Sequence, residues 1–125
     1  MMNAELTKKL GNDPNGLMTY EYIANNIDNI DGVIDDLVDN IITVDRNGQF
    51  VVSTARYLFA IDPEKFNRQI DKLVKAAIER DRERVYLGDL AATLWGDDYK
   101  EHATKLIATD DNFRRIYKRL YPTGF

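Results

Sequence analysis

A chain of 125 residues, 44% hydrophobic and 30% charged with net charge −4, has the size and composition of one globular domain. That composition excludes a disordered chain, and the lack of cysteine excludes disulfides and thiolate metal sites. Residues 1–62 hold ten acids against four bases and residues 63–125 eleven against thirteen, so halves of −6 and +2 sum to −4.

The first segment, MMNAELTKKLG, lacks the apolar core of a secretory signal, and no apolar run is long enough for a membrane span. A cytoplasmic location is the expectation. Ala4–Leu10 reads as a short helix stopped by Gly11 and the loop NDPNG. A second helix runs from Leu17 to about Asp28 with Tyr20, Ile23 and Ile27 inward. It either continues into the next helix or breaks near Asp31-Gly32.

From Asn29 onward the chain repeats itself. Residues 29–62 laid over 65–98 match at Ile34/Ile70, Asp35/Asp71, Leu37/Leu73, Val38/Val74 and Ile42/Ile78. Further identities are Asp45/Asp81, Arg46/Arg82, Ala55/Ala91, Leu58/Leu94 and Asp62/Asp98, which sets a register of about 36 residues. Ile30, Ile34, Leu37, Val38, Ile41 and Ile42 recur at spacings of three and four, and every counterpart is apolar. This is a helical stripe present twice. A second helix in each copy carries Val51, Ala55, Leu58 and Phe59, matched by Leu87, Ala91, Leu94 and Trp95. Asp62-Pro63 predicts an N-cap followed by proline at the first helical position, with Asp98 equivalent to Asp62, and Gly96 predicts a stop after Trp95.

The stretch TVDRNGQFVVST, Thr43 to Thr54, admits three readings: a β-hairpin with Asn47-Gly48 at its turn, part of a calcium loop, or a joint between helices. A calcium loop would put Thr43 and Thr54 where the first ligand and the bidentate Glu belong. Its counterpart ERDRERVYLGDL has no Asn-Gly and no strand-like run. A joint, bent at Asp45-Arg46 and at Asp81-Arg82, serves both copies.

Lys100–Ala108 begins a further unit, and Asn112–Leu120, capped by Asp110, is the last helix. The expected fold is all-α: seven or eight short helices in antiparallel pairs, forming a right-handed, solenoid-like array in a single domain. Its units are N-terminal helices over 1–28, repeats over 29–64 and 65–100, and a partial repeat with a capping helix over 101–125. Residues 29–108 thereby resemble α-helical hairpin-repeat proteins, HEAT-like and tetratricopeptide-like, in architecture alone. The tetratricopeptide Trp-Leu-Gly-Tyr…Ala…Phe…Pro pattern does not occur, so the resemblance carries no functional residues.

Two charged surfaces are candidates for contact with a partner. Asp28, Asp31, Asp35, Asp36 and Asp39 cluster on the solvent side of the first repeated helix. They suit a basic partner or, more simply, pairing with Arg68, Lys72 and Lys75 of the next unit. In NFRRIYKRLYPTGF, Phe113, Ile116, Tyr117, Leu120 and Tyr121 form one face, and Arg114, Arg115, Lys118 and Arg119 crowd the other. Such a helix caps the array or meets an anion. Arg80, Arg82 and Arg84, interleaved with Asp81 and Glu83, read as a self-paired turn.

Catalytic groups are sparse. His102, the only histidine, lies one turn from Asp98, and Ser53 sits among Val51, Val52 and Ala55. Neither suggests an active site, and no cofactor or metal motif appears. The functional expectation is a non-catalytic protein-interaction module, an adaptor or an inhibitor or immunity-type scaffold, whose partner is another protein, a basic one where the aspartates dock. Alternatives are nucleic-acid association through the basic last helix and a purely structural or homodimeric role.

Overall fold

A computed structural model describes residues 2–123; Gly124 and Phe125, the end of the segment assigned above to the last unit, lie outside the described residues. The fold is all-α, with eight α-helices, two short 3-10 turns and no strand among the described residues. Thr43 to Thr54 is a helix end, a tight turn and a helix start, so the joint is what forms there.

Helix α1 (Ala4–Gly11) opens on Asn3, whose side chain accepts the Leu6 N–H at 2.8 Å. Helix α2 (Leu17–Asn25) stops at an asparagine pair, where Asn26 donates its side-chain amide to the Tyr22 carbonyl at 2.8 Å. Local side-chain bonding of this kind competes with helix continuation. A 3-10 turn over Ile27–Asn29 follows, and α3 (Ile34–Val44) starts only after Gly32. Residues 17–44 therefore form two helices, not one.

Helices α4 (Gln49–Ile61), α5 (Asn67–Arg80) and α6 (Leu87–Trp95) follow in turn. The helix that Asp62-Pro63 announces begins about one turn later than expected. Asp62 accepts the Lys65 N–H at 3.0 Å and organises the lead-in turn, while α5 itself begins at Asn67. Ile30 and Phe66, equivalent in the repeat, are both buried just ahead of their helices, at 0% and 2% exposure. The stripe is thus completed by anchors outside the helical spans. Gly96 ends α6 at φ 92°, as its position predicts. The 3-10 turn Tyr99–His102 and α7 (Ala103–Thr109) lead into α8 (Asp111–Leu120), which Asp110 caps by accepting the Phe113 N–H at 3.1 Å.

The helices pack as neighbouring pairs: α2 on α3 and α4, α4 on α5 and α6, α3 on α5, and α8 on α5, α6 and α7. Two hydrogen bonds reveal how the array propagates. Gln69 at the start of α5 donates to Asp35 of α3 at 2.9 Å, and Asn112 at the start of α8 donates to Asp71 of α5 at 2.9 Å. Asp35 and Asp71 are equivalent in the repeat, so α8 lies on α5 as α5 lies on α3. The apolar stripes meet in one core in which Leu37, Ile41, Leu73, Ala77 and Ile116 have no exposed surface. Burial of each large side chain of this kind contributes about 1.5–3 kcal/mol.

Aromatic rings secure the last helix. Trp95 stands edge-on to Phe113 at 5.0 Å between centroids, Phe113 stacks on Tyr117 at 5.5 Å, and Tyr117 meets Tyr121 at 4.7 Å. The Tyr99 and Tyr121 hydroxyls hydrogen-bond at 2.9 Å, and burial together with that bond pushes the Tyr99 hydroxyl well above its ordinary pKa. The aromatic face of α8 is therefore committed inward and its basic face stays outward.

Candidate anion-binding cleft

Three joints connect consecutive helices, α1 to α2, α3 to α4 and α5 to α6, and each is built on one buried aspartate: Asp13, Asp45 and Asp81, at 4%, 1% and 2% exposure. In the joint between α3 and α4, one Asp45 oxygen accepts the Asn47 and Gly48 N–H groups at 3.2 and 3.0 Å. Its other oxygen accepts the Phe50 and Val51 N–H groups, both at 2.8 Å. Asp81 likewise accepts from Val85, Tyr86 and Leu87 at 2.9, 2.6 and 2.8 Å. Asp13 accepts the Asn15 and Gly16 N–H groups at 3.2 and 2.9 Å, then the Thr19 N–H and hydroxyl, both at 2.8 Å. Each carboxylate satisfies donors that a helix start leaves open, and its charge suits the positive end of the helix dipole. For Asp13, burial pushes the carboxyl pKa up, but the Thr19, Gly16 and Asn15 hydrogen bonds together hold it below the ordinary value.

Three residues beyond each aspartate the backbone turns left-handed. The residues there are Gly16 at φ 103°, Gly48 at 90° and Arg84 at 62°. The next joint lies directly above both glycines. A Cβ on Gly16 would come within 3.2 Å of the Asp45 Cβ, and one on Gly48 within 3.4 Å of the Asp81 Cβ. Each joint therefore rests on the aspartate of the next. Arg84 has no further joint of this kind above it among the described residues, and its side chain reaches into open space instead.

That space is a cleft of about 540 Å³ between the third joint and α8. Arg82, Arg84, Arg115, Lys118 and Arg119 line it, with Ile78 and Pro122 as its apolar wall and no acidic residue. None of the five cations makes an ion pair among the described residues. Arg119 Nη1 is shielded from solvent and has no hydrogen-bond acceptor there. The basic face expected on α8 is therefore divided. Arg114 turns away to pair with Asp111, and Arg115, Lys118 and Arg119 face the cleft.

Arg82 and Arg84 depart from the self-paired turn that the alternating charges suggest. Asp81 is buried and taken up by backbone N–H groups, so it has no oxygen to offer them. Arg80, the third arginine of that run, is spent within the fold. Its guanidinium donates to the Asp45 carbonyl at 2.6 Å and also to the Ile42 carbonyl, bracing the preceding joint.

The acidic cluster behaves in the opposite way. Asp31 pairs with Lys65 at 3.0 Å, Asp35 with Arg68 at 2.8 Å, and Asp39 with Lys72. Arg68 and Lys72 thus pair between units as the repeat suggests, with Lys65 and Asp31 just ahead of the two helices in addition, whereas Lys75 pairs with Asp71 of its own helix. Asp36 accepts the Met2 N–H at 3.1 Å, which leaves Asp28 exposed without a side-chain partner among the described residues. Asp71 is held below its ordinary pKa first by the Lys75 ammonium and then by the Asn112 amide, against the opposing effect of burial.

His102 and Asp98 lie 3.1 Å apart and, with Glu101, bring three possible ligand atoms within 4.8 Å of one another. All three residues are exposed, and no nucleophile joins them. Ser53 donates its hydroxyl to the Gln49 carbonyl at 3.0 Å, a local helix contact. Compared with known proteins, the chain matches no family model, no curated protein and no solved structure.

Proposed function

We propose that this chain is a non-catalytic protein-interaction module, and that it captures an anionic segment of its partner in the basic cleft between the third joint and α8. The reading is supported above all by one contrast. The acids of α3 are largely engaged with neighbouring helices, whereas five cations on one cleft have no counter-charge of their own. Like charges held this close repel one another, and an incoming anion turns that repulsion into attraction. The partner expected from this surface is acidic where it docks, the reverse of the basic partner that the aspartate cluster suggests.

Nucleic-acid association is the second reading, favoured by the four arginines among those five cations. Two observations weigh against it: the cleft has no aromatic lining on which bases could stack, and the protein carries net charge −4. Retention on immobilised heparin, a sulfated polyanion without bases, tests the proposal. Retention that falls with salt, and that is lost when Arg115, Lys118 and Arg119 become Ala, is the expected result. The exchange of Asp35 and Asp39 for Asn should leave it unchanged. Elution of the wild type together with the triple-alanine variant would sink the reading.

A further inference from the structure

Resting on that reading, we infer that the segment seated in the cleft is phosphorylated, and that Arg84 is the residue through which the third joint recognises it. The third joint keeps the buried aspartate and the left-handed residue three positions beyond it, although Asp81 accepts from the fourth to sixth N–H groups and α6 starts two residues later than its counterparts. At its left-handed position, however, an arginine stands where the others have glycine. A non-glycine residue in that conformation costs free energy that glycine avoids. In the first two joints the next joint lies directly above that position, crowding a Cβ at Gly16 to 3.1 Å and touching one at Gly48 at 3.4 Å. The third joint has the room, and the arginine that fills it lines the cleft.

Donor number and charge favour phosphate over carboxylate. Four guanidinium groups and one ammonium converge on a volume of about 540 Å³. A carboxylate brings one charge and two oxygens, whereas a phosphate monoester brings nearly two charges and three terminal oxygens. Planar guanidinium forks match those oxygens in pairs. Arg119 already has one nitrogen withdrawn from water without an acceptor, so part of its desolvation cost is borne before any anion arrives. A protein segment is favoured over a free polyphosphate by the apolar surface beside the charges. Ile78 and Pro122 line the cleft, and Val85, next to Arg84, is 58% exposed.

The test is calorimetric titration of the full chain with four probes: a short Gly-Ser peptide bearing two phosphoserines, its twin with two glutamates, inorganic tripolyphosphate and oligouridylate. The phosphopeptide should bind one per chain, weaken with salt, and bind about tenfold or more tightly than the glutamate twin, a difference of about 1.4 kcal/mol. Arg84→Gly and Arg115→Ala should each weaken it about tenfold. Arg84→Gly should do so without lowering the thermal midpoint, an outcome that separates lost recognition from lost structure. Equal binding of both peptides would overturn phosphate recognition and leave the anionic-segment reading in place. Tighter binding of tripolyphosphate or oligouridylate than of the phosphopeptide would overturn the protein source. Binding of no probe would overturn both proposals, and full affinity in Arg84→Gly would overturn the role of Arg84.

Discussion

The second and third joints share a buried aspartate and a left-handed residue three positions beyond it, and differ in what lies above that residue. Above Gly48 lies the backbone of the third joint, and above Arg84 lies the open cleft. Where units pack closely, the left-handed position is glycine, which avoids the φ penalty and leaves the neighbouring joint its room. Where packing ends, the same position becomes free to carry chemistry. A stacked array therefore varies most readily at its last joint, where sequence is released from the contacts that fix the interior joints.

The strongest way to break this comparison is to remove the buried aspartate of one joint. Asp45→Ala leaves four backbone donors without their acceptor and should cost about 3 kcal/mol or more, read as a lower urea midpoint. Gly16→Ala and Gly48→Ala come next, at about 1–3 kcal/mol, with Gly16 the more sensitive because its approach to Phe50 and Asp45 is tighter. Equal tolerance of alanine at positions 16, 48 and 84 would dissolve the distinction between packed and open joints. Arg84→Gly should go the other way and raise stability by about 0.5 kcal/mol, since relief of the left-handed penalty is offset by the freer unfolded chain.

The first joint sharpens the comparison through pH. Asp13 has a folded-state pKa below its ordinary value of 3.8, so its contribution is fully present above that pH and is lost as pH falls through the lower folded value. Asp13→Asn should therefore flatten the acid limb of stability against pH below about 4, while the wild type stays steeper there. The smallest effect belongs to the acidic ridge. Asp39→Asn removes one exposed pair with Lys72 and should cost no more than about 1 kcal/mol, less at high salt.

The sequence carried the joints unevenly. Asp45 and Asp81 stand out because the flanking stripes align in a single register, whereas Asp13 lies 32 residues before Asp45 and falls outside the register of about 36. Yet Asp13-Pro14-Asn15-Gly16 and Asp45-Arg46-Asn47-Gly48 share the residues that make the turn. Comparing turn chemistry, instead of apolar spacing, would have joined them. The ion pairs of α3 with α5 were legible because repeat-equivalent helices lie side by side. The cleft was not legible: Arg82 and Arg84 are separated from Arg115, Lys118 and Arg119 by two helices and a 3-10 turn. Nearby acids in the chain disguised their isolation, since whether Asp81 is free to neutralise them depends on its burial. Helix starts shifted for a similar reason, because Ile30 and Phe66 continue the apolar rhythm without continuing the helix.

Trp95, the only tryptophan, turns the docking of α8 into an optical signal. Its indole N–H donates at 3.2 Å to Asp110, the residue that caps α8, and its ring edge meets Phe113 one turn inside that helix. Loosening of α8 would wet the indole and shift its emission to longer wavelength, with no label required. Arg115, Lys118 and Arg119 ride on the same helix, so intrinsic fluorescence would report, in one cuvette and in real time, whether filling the cleft tightens or releases the end of the array.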